Sequence, residues 1–122
     1  MRNTKTIKSA QAKKVALYGR SSNYENDGQM QKAMLQPHAQ GKVHFDRNVS
    51  GTVPVMPRPA IQKILEQKPK VIVMTNAKRF ARRLHVQESG LTELNQKGVE
   101  VETLDMPGLF TDKSAKGTVN PK

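Results

Sequence analysis

The chain has no cysteine and few aromatic residues, 4% of its 122 positions. Without cysteine there are no disulfides and no thiolate metal sites, which fits a cytoplasmic protein. With so few aromatics, and apolar residues at only 35%, any core is small and aliphatic. Acids are scarce as well: 10 Asp and Glu stand against 21 Lys and Arg, a formal net charge of +11. No run approaches the roughly 18 apolar residues of a membrane span, and no signal peptide is visible. The length suits one domain rather than two. The excess of cations favours a polyanionic partner, nucleic acid first, with a solvated basic surface as the alternative.

The most informative stretch is Val15-Ala16-Leu17-Tyr18-Gly19-Arg20-Ser21-Ser22. Val15 to Tyr18 suit a buried strand, and the polar residues from Gly19 end it. Arg20 and Ser22, two residues apart, fall on one side of an extended chain. An arginine beside a hydroxyl at the carboxyl end of a strand is a candidate anion-handling nucleophile site, and open α/β sheets bind ligands at that end. A strand followed by a plain polar turn is the simpler alternative.

Residues 1–14 are basic, lack acids and read as a flexible arm. A turn-rich loop spans 22–28, and the pattern predicts a helix over about 28–40 with Met30, Ala33, Met34 and Leu35 on one side, Met30 and Met34 facing the core, and a break or an early end at Pro37. Val43 to Phe45 make a short second strand. Asp46 to Pro57 form a long loop with two prolines and a glycine, of the kind that is functional or disordered in a small domain. Pro59 opens a helix to about Gln67. A third strand, Lys70 to Met74, is apolar on both faces and therefore central. Four cations follow within six residues, Lys78 to Arg83. A helix over about 85–97 ends at Gly98, a fourth strand runs over 99–104, and 105–122 form a polar tail.

This order predicts a three-layer α/β domain with helices on both faces of a mostly parallel sheet of four to five strands. In such a sheet the segments after successive strands meet at one edge. Arg20 and Ser22, Asp46 and Ser50, and Arg79 and Arg82 all follow strands, and Arg58 can return to the same edge. A serine without a histidine partner is a poor acyl-transfer nucleophile. Held against a phosphodiester by arginines, it is a sensible phosphoryl-transfer nucleophile. His38, His44 and His85 are too scattered for a metal triad.

At this point the residues resemble a family. Tyr18-Gly19-Arg20-Ser21-Ser22 is similar to the Tyr-x-Arg-x-Ser motif of the serine site-specific recombinases, the resolvase, invertase and large serine integrase group. Gln31 stands where the family often has a glutamine. Phe45-Asp46, followed by Ser50-Gly51, resembles its acidic loop, Arg58-Pro59-Ala60 its Arg-Pro helix start, and Arg79-Phe80-Ala81-Arg82 its Arg-Leu-x-Arg. The match covers about residues 14–117. It implies a resolvase-like catalytic domain over 15–104, with Ser22 as nucleophile, Arg20, Arg58, Arg79 and Arg82 as catalytic arginines, and Tyr18, Gln31, Asp46 and Ser50 in support. It further implies cutting and rejoining of double-stranded DNA through a 5′-phosphoserine, with no metal or other cofactor, in dimers or tetramers of the full-length family.

Two departures stand out. Lys78 replaces the aspartate usual before the Arg-Leu-x-Arg run, and Lys116 stands where methionine commonly precedes the glycine. Family members continue from the tail into a dimerisation helix and a DNA-binding region. Three function classes follow: an active recombinase catalytic domain, an inactive relative that binds DNA or interferes with a recombinase, and an unrelated basic nucleic-acid-binding module.

Overall fold

Two apolar runs set the centre of the fold. Val15–Ser21 (β1) and Val71–Met74 (β3) lie side by side in parallel, with Ala16 opposite Ile72. Both are buried along nearly their whole length, as strands covered on both faces must be. Val43–Arg47 (β2) pairs with β1 on its other side, and Glu100–Thr103 (β4) pairs with β3. Among the described residues the sheet has four strands, all parallel, in the order β2-β1-β3-β4. This computed structural model describes residues 15–22 and 28–110. The expected basic arm, most of the loop after Ser22 and the end of the polar tail lie outside the described residues.

Among the described residues, four helices and a short 3₁₀ turn connect the strands. They are Gly28–Leu35 (α1), the turn Gln36–His38, Pro59–Glu66 (α2), Ala77–Phe80 (α3) and Leu84–Gln96 (α4). Pro37 sits in the 3₁₀ turn, where its missing N–H costs nothing, and the first helix ends at Leu35, the early end that Pro37 predicts. On one face of the sheet, Ala16, Tyr18, Ile72, Met74 and Val101 pack with Ile61 and Ile64 of α2, Phe80 of α3 and Leu94 of α4. On the other, Leu17, Val43 and Val73 pack with Leu35 of α1. The three layers are therefore unequal, with α1 alone facing the three other helices across the sheet.

One expectation about the core is corrected. Met30 and Met34 do not face it: they are 64% and 46% exposed, while Gln31 and Leu35 are buried. The inward stripe of α1 is thus one polar and one apolar residue. Gln31 belongs inside because its side chain has backbone partners there, as described below. The second strand is also longer than predicted, because Asp46 and Arg47 continue the parallel register opposite Arg20 and Ser21.

The strand order reverses between β1 and β3. The chain steps from β1 outward to β2, then crosses back over to β3 on the other side of β1. The carboxyl ends of these two central strands form the crevice where open parallel sheets bind ligands.

Candidate active site

Past Leu17, β1 outruns the pairing it makes with β3. The Gln31 side chain takes over the place of a neighbouring strand. Its Oε1 accepts the Arg20 amide at 3.1 Å and its Nε2 donates to the Arg20 carbonyl at 3.0 Å. This fixes the backbone two residues before Ser22 and satisfies both polar groups of a buried residue. Ser22 itself is half-buried and follows the last residue of the strand.

Arg20 is fully buried. Its guanidinium donates to three backbone carbonyls: Nη1 to Val49 at 2.7 Å, Nη2 to Lys78 at 2.9 Å and Nε to Arg79 at 3.2 Å. One side chain therefore ties the loop after β2 to the turn after β3. A guanidinium suits this role because its fork is planar, rigid and always charged. Val49 N–H donates in turn to the Ser21 carbonyl at 3.0 Å, which holds the loop against the end of β1.

Arg58 is buried almost as completely, at 1% exposure. It donates to the Tyr18 hydroxyl at 3.2 Å and to the Val53 carbonyl at 2.8 Å, with a longer approach to the Arg79 carbonyl at 3.5 Å. Its Nε is buried with no hydrogen-bond partner among the described residues. Tyr18 passes the connection on, donating to Asp46 Oδ2 at 2.8 Å, while Asp46 Oδ1 accepts the Ala60 amide at 2.8 Å. Ala60 lies in the first turn of α2, where amides have no partner within the helix. Both Asp46 oxygens are thus engaged in holding the fold. Burial, the largest influence, pushes the Tyr18 phenol well above its ordinary range, and the Asp46 charge adds to this. Arg58 pulls the other way without reversing it.

The remaining arginines are accessible. Arg79 is half-buried and its Nη1 donates to the Arg20 carbonyl at 3.3 Å. Arg82 is exposed, and its amide donates to the Gly51 carbonyl at 2.8 Å. The Arg82 side chain lies flat on Gly51: a Cβ there would come within 2.5 Å of Arg82 Cγ and 3.0 Å of Arg20 Nη2. Ser50 is exposed and shapes the same loop, its Oγ accepting the Thr52 amide at 3.1 Å and lying 2.9 Å from Thr52 Oγ1.

The structure therefore gathers Arg20, Arg58, Arg79 and Arg82 at the carboxyl edge of β1 and β3, beside the strand that ends at Ser21, one residue before Ser22. A family model for the resolvase N-terminal domain matches residues 15–119. The chain belongs to the resolvase family. No curated protein matches it in sequence. Solved structures share the fold. The N-terminal catalytic domain of TP901-1 integrase superposes with a TM-score of 0.68 at 20% identity, over 88% of this chain and 90% of that one. The C-terminal catalytic domain of ISC1926 TnpA, an IS607-like serine recombinase, gives 0.60 at 18% identity, over 87% and 77%.

Within this resolvase domain the candidate residues divide by exposure, a division that motif spacing does not reveal. Arg20 and Arg58 lie beneath the surface on backbone carbonyls, while Arg79 and Arg82 reach it. Sequence reasoning also missed Gly51 as a shaped position. Its signal was a glycine between two hydroxyl residues in a loop that must pass close to an arginine. Among the described residues, no three His, Asp or Glu side chains gather to hold a metal ion. None of the described helices is long and apolar enough to cross a membrane.

Proposed function

We propose that this resolvase domain cuts and rejoins double-stranded DNA, with Ser22 as the nucleophile. The observation that carries the reading is the convergence of four arginines on the strand end that presents Ser22. Ser22 Oγ attacks the scissile phosphorus, the bond to the 3′ oxygen breaks, and that oxygen takes up a proton to leave as a 3′ hydroxyl. The 5′ end remains on the serine as a phosphodiester, so a 3′ hydroxyl can reverse the step without an energy source. Arg79 and Arg82 meet the charge that develops on the phosphate oxygens. Arg20 and Arg58 set the loop and turn that carry them, and their buried charges add positive potential from below. The family resemblance extends the reading to dimers or tetramers.

A second reading is an inactive relative that binds DNA without cutting it. One observation favours it: Nε, Nη1 and Nη2 of Arg20 and both Nη atoms of Arg58 already lie on carbonyls or on Tyr18, leaving Arg58 Nε without a partner among the described residues. The two readings separate on supercoiled DNA, using the chain with whatever its reading frame encodes after Lys122. The first expects strand breaks that vanish in Ser22→Ala while binding persists. Binding with no breaks in either protein would support the second reading and reject the first.

A further inference from the structure

Phe45 lies on the sheet face opposite Asp46, and glycines make room for it. A Cβ on Gly19 would sit 2.5 Å from its ring, and one on Gly28 3.2 Å. The ring seated in this notch carries two cations. Lys32 Nζ, from α1, lies 5.5 Å from the ring centroid, and Arg47 Cζ, from the end of β2, also lies 5.5 Å away. Both are within the range of cation–π attraction. The aromatic face holds two long, flexible side chains in place before any ligand arrives, which lowers the entropy lost when one binds.

Position makes the pair significant. Arg47 is exposed and sits in register with Ser21, the residue before Ser22. Alternation along β1 and β2 puts Phe45 and Arg47 on the side of Gly19 and Leu17, and Tyr18, Arg20 and Asp46 on the other. Arg79 and Arg82 approach from that other side. Cations therefore stand on both sides of the strand end that presents Ser22. Residues 28–35 contain no acid, and the one carboxylate of β2, on Asp46, is committed to Tyr18 and Ala60. Two cations sharing one ring with no acid on either element are best relieved by an external anion.

We infer that Lys32 and Arg47, seated on Phe45, form a second phosphate grip, which takes the DNA backbone on the α1 side of Ser22 while Arg79 and Arg82 take it on the other. The inference rests on the proposed action on DNA, but its test reads binding rather than cutting. Binding of the chain to a duplex of arbitrary sequence is measured over a series of salt concentrations. Lys32→Gln and Arg47→Gln should each lower the slope of log affinity against log salt by about 0.9, the loss of one phosphate contact. Arg47→Lys should restore most of the slope, and Phe45→Leu, which keeps both charges, should reduce it. Lys97→Gln, at the opposite, amino end of the strands beside Lys68, Pro69 and Lys70, serves as the control and should leave it unchanged. Slopes for Lys32→Gln and Arg47→Gln equal to the control would overturn the grip and leave the cutting reaction standing. A grip-dependent slope in a chain that never breaks DNA would keep the grip and reject the cutting. A chain that binds no duplex would overturn both.

Discussion

Arg20 and Arg79 hold each other by the backbone: Arg20 Nε donates to the Arg79 carbonyl at 3.2 Å, and Arg79 Nη1 donates back to the Arg20 carbonyl at 3.3 Å. The two residues are 59 positions apart in sequence, so this exchange joins the end of β1 to the turn after β3. It makes the accessible guanidinium of Arg79 depend on the buried one of Arg20.

A lysine at position 20 keeps the charge but not the fork. It cannot reach the carbonyls of Val49, Lys78 and Arg79 together. Arg20→Lys should therefore destabilise the fold by about 2–4 kcal/mol, the cost of breaking several charge-assisted bonds in a buried site. Urea unfolding checks this. A midpoint unchanged from the parent would show that the three bonds do not hold the loop and the turn.

Gly51 is required by crowding. Gly51→Ala pushes a methyl group against Arg82 Cγ, which is too near the backbone to swing away freely. Overpacking of this kind costs about 1–3 kcal/mol. The larger effect is expected on DNA cleavage, at least about tenfold, because a displacement of 1 Å can be costly in a positioned site. Cleavage at the parental rate with a folded Gly51→Ala protein would free Arg82 of this constraint.

Tyr18 supplies a pH prediction. Its phenol is held above its unfolded value of about 10, so the stability gained from the neutral hydroxyl is complete below that pH. That stability declines as pH rises beyond it. In a Tyr24→Phe background, where Tyr18 is the one remaining tyrosine, phenolate absorbance should appear only as the protein unfolds in alkali. Ionisation at the ordinary tyrosine pH in a folded protein would contradict the buried Arg58–Tyr18–Asp46 chain. Tyr18→Phe should also cost about 1–3 kcal/mol, since it leaves Arg58 and Asp46 each short of a partner.

Arg82 and Arg58 should separate stability from chemistry. Arg82 is exposed, and its amide bond to Gly51 survives truncation of the side chain. Arg82→Ala should change stability by no more than about 0.5 kcal/mol, yet slow DNA cleavage by about 100-fold or more. Arg58→Ala should lower both, because it also empties a buried site. Equal losses of stability in the two variants, followed by urea unfolding, would contradict the division by exposure.

Much of the fold was legible because its signals are local. Val15 to Tyr18 and Val71 to Met74 are short apolar runs that suit central strands, and Pro59 marks a helix start. The gathering of arginines followed from strand order, since parallel strands send their carboxyl ends to one edge. What was not legible depends on partners distant in sequence. Met30 and Met34 looked like core residues, whereas Gln31 is buried because it bonds the Arg20 backbone. Ala77–Phe80 forms a helical turn that a run of cations conceals, with Asn76 accepting the Lys78 amide at its start. Nothing in the motif spacing separates Arg20 and Arg58 from Arg79 and Arg82. That distinction arises from carbonyls of residues 49, 53, 78 and 79, which carry no side-chain signature.

The most direct measurement is the identity of the residue that carries DNA after strand cleavage. The protein is incubated with a nicked duplex that lets the broken end drift away, digested, and its peptides are weighed by mass spectrometry. The account expects a nucleotide joined through its 5′ phosphate to Ser22, and no adduct in Ser22→Ala. An adduct on Ser21, Ser50 or any other residue, or broken DNA with no protein attached, would contradict it.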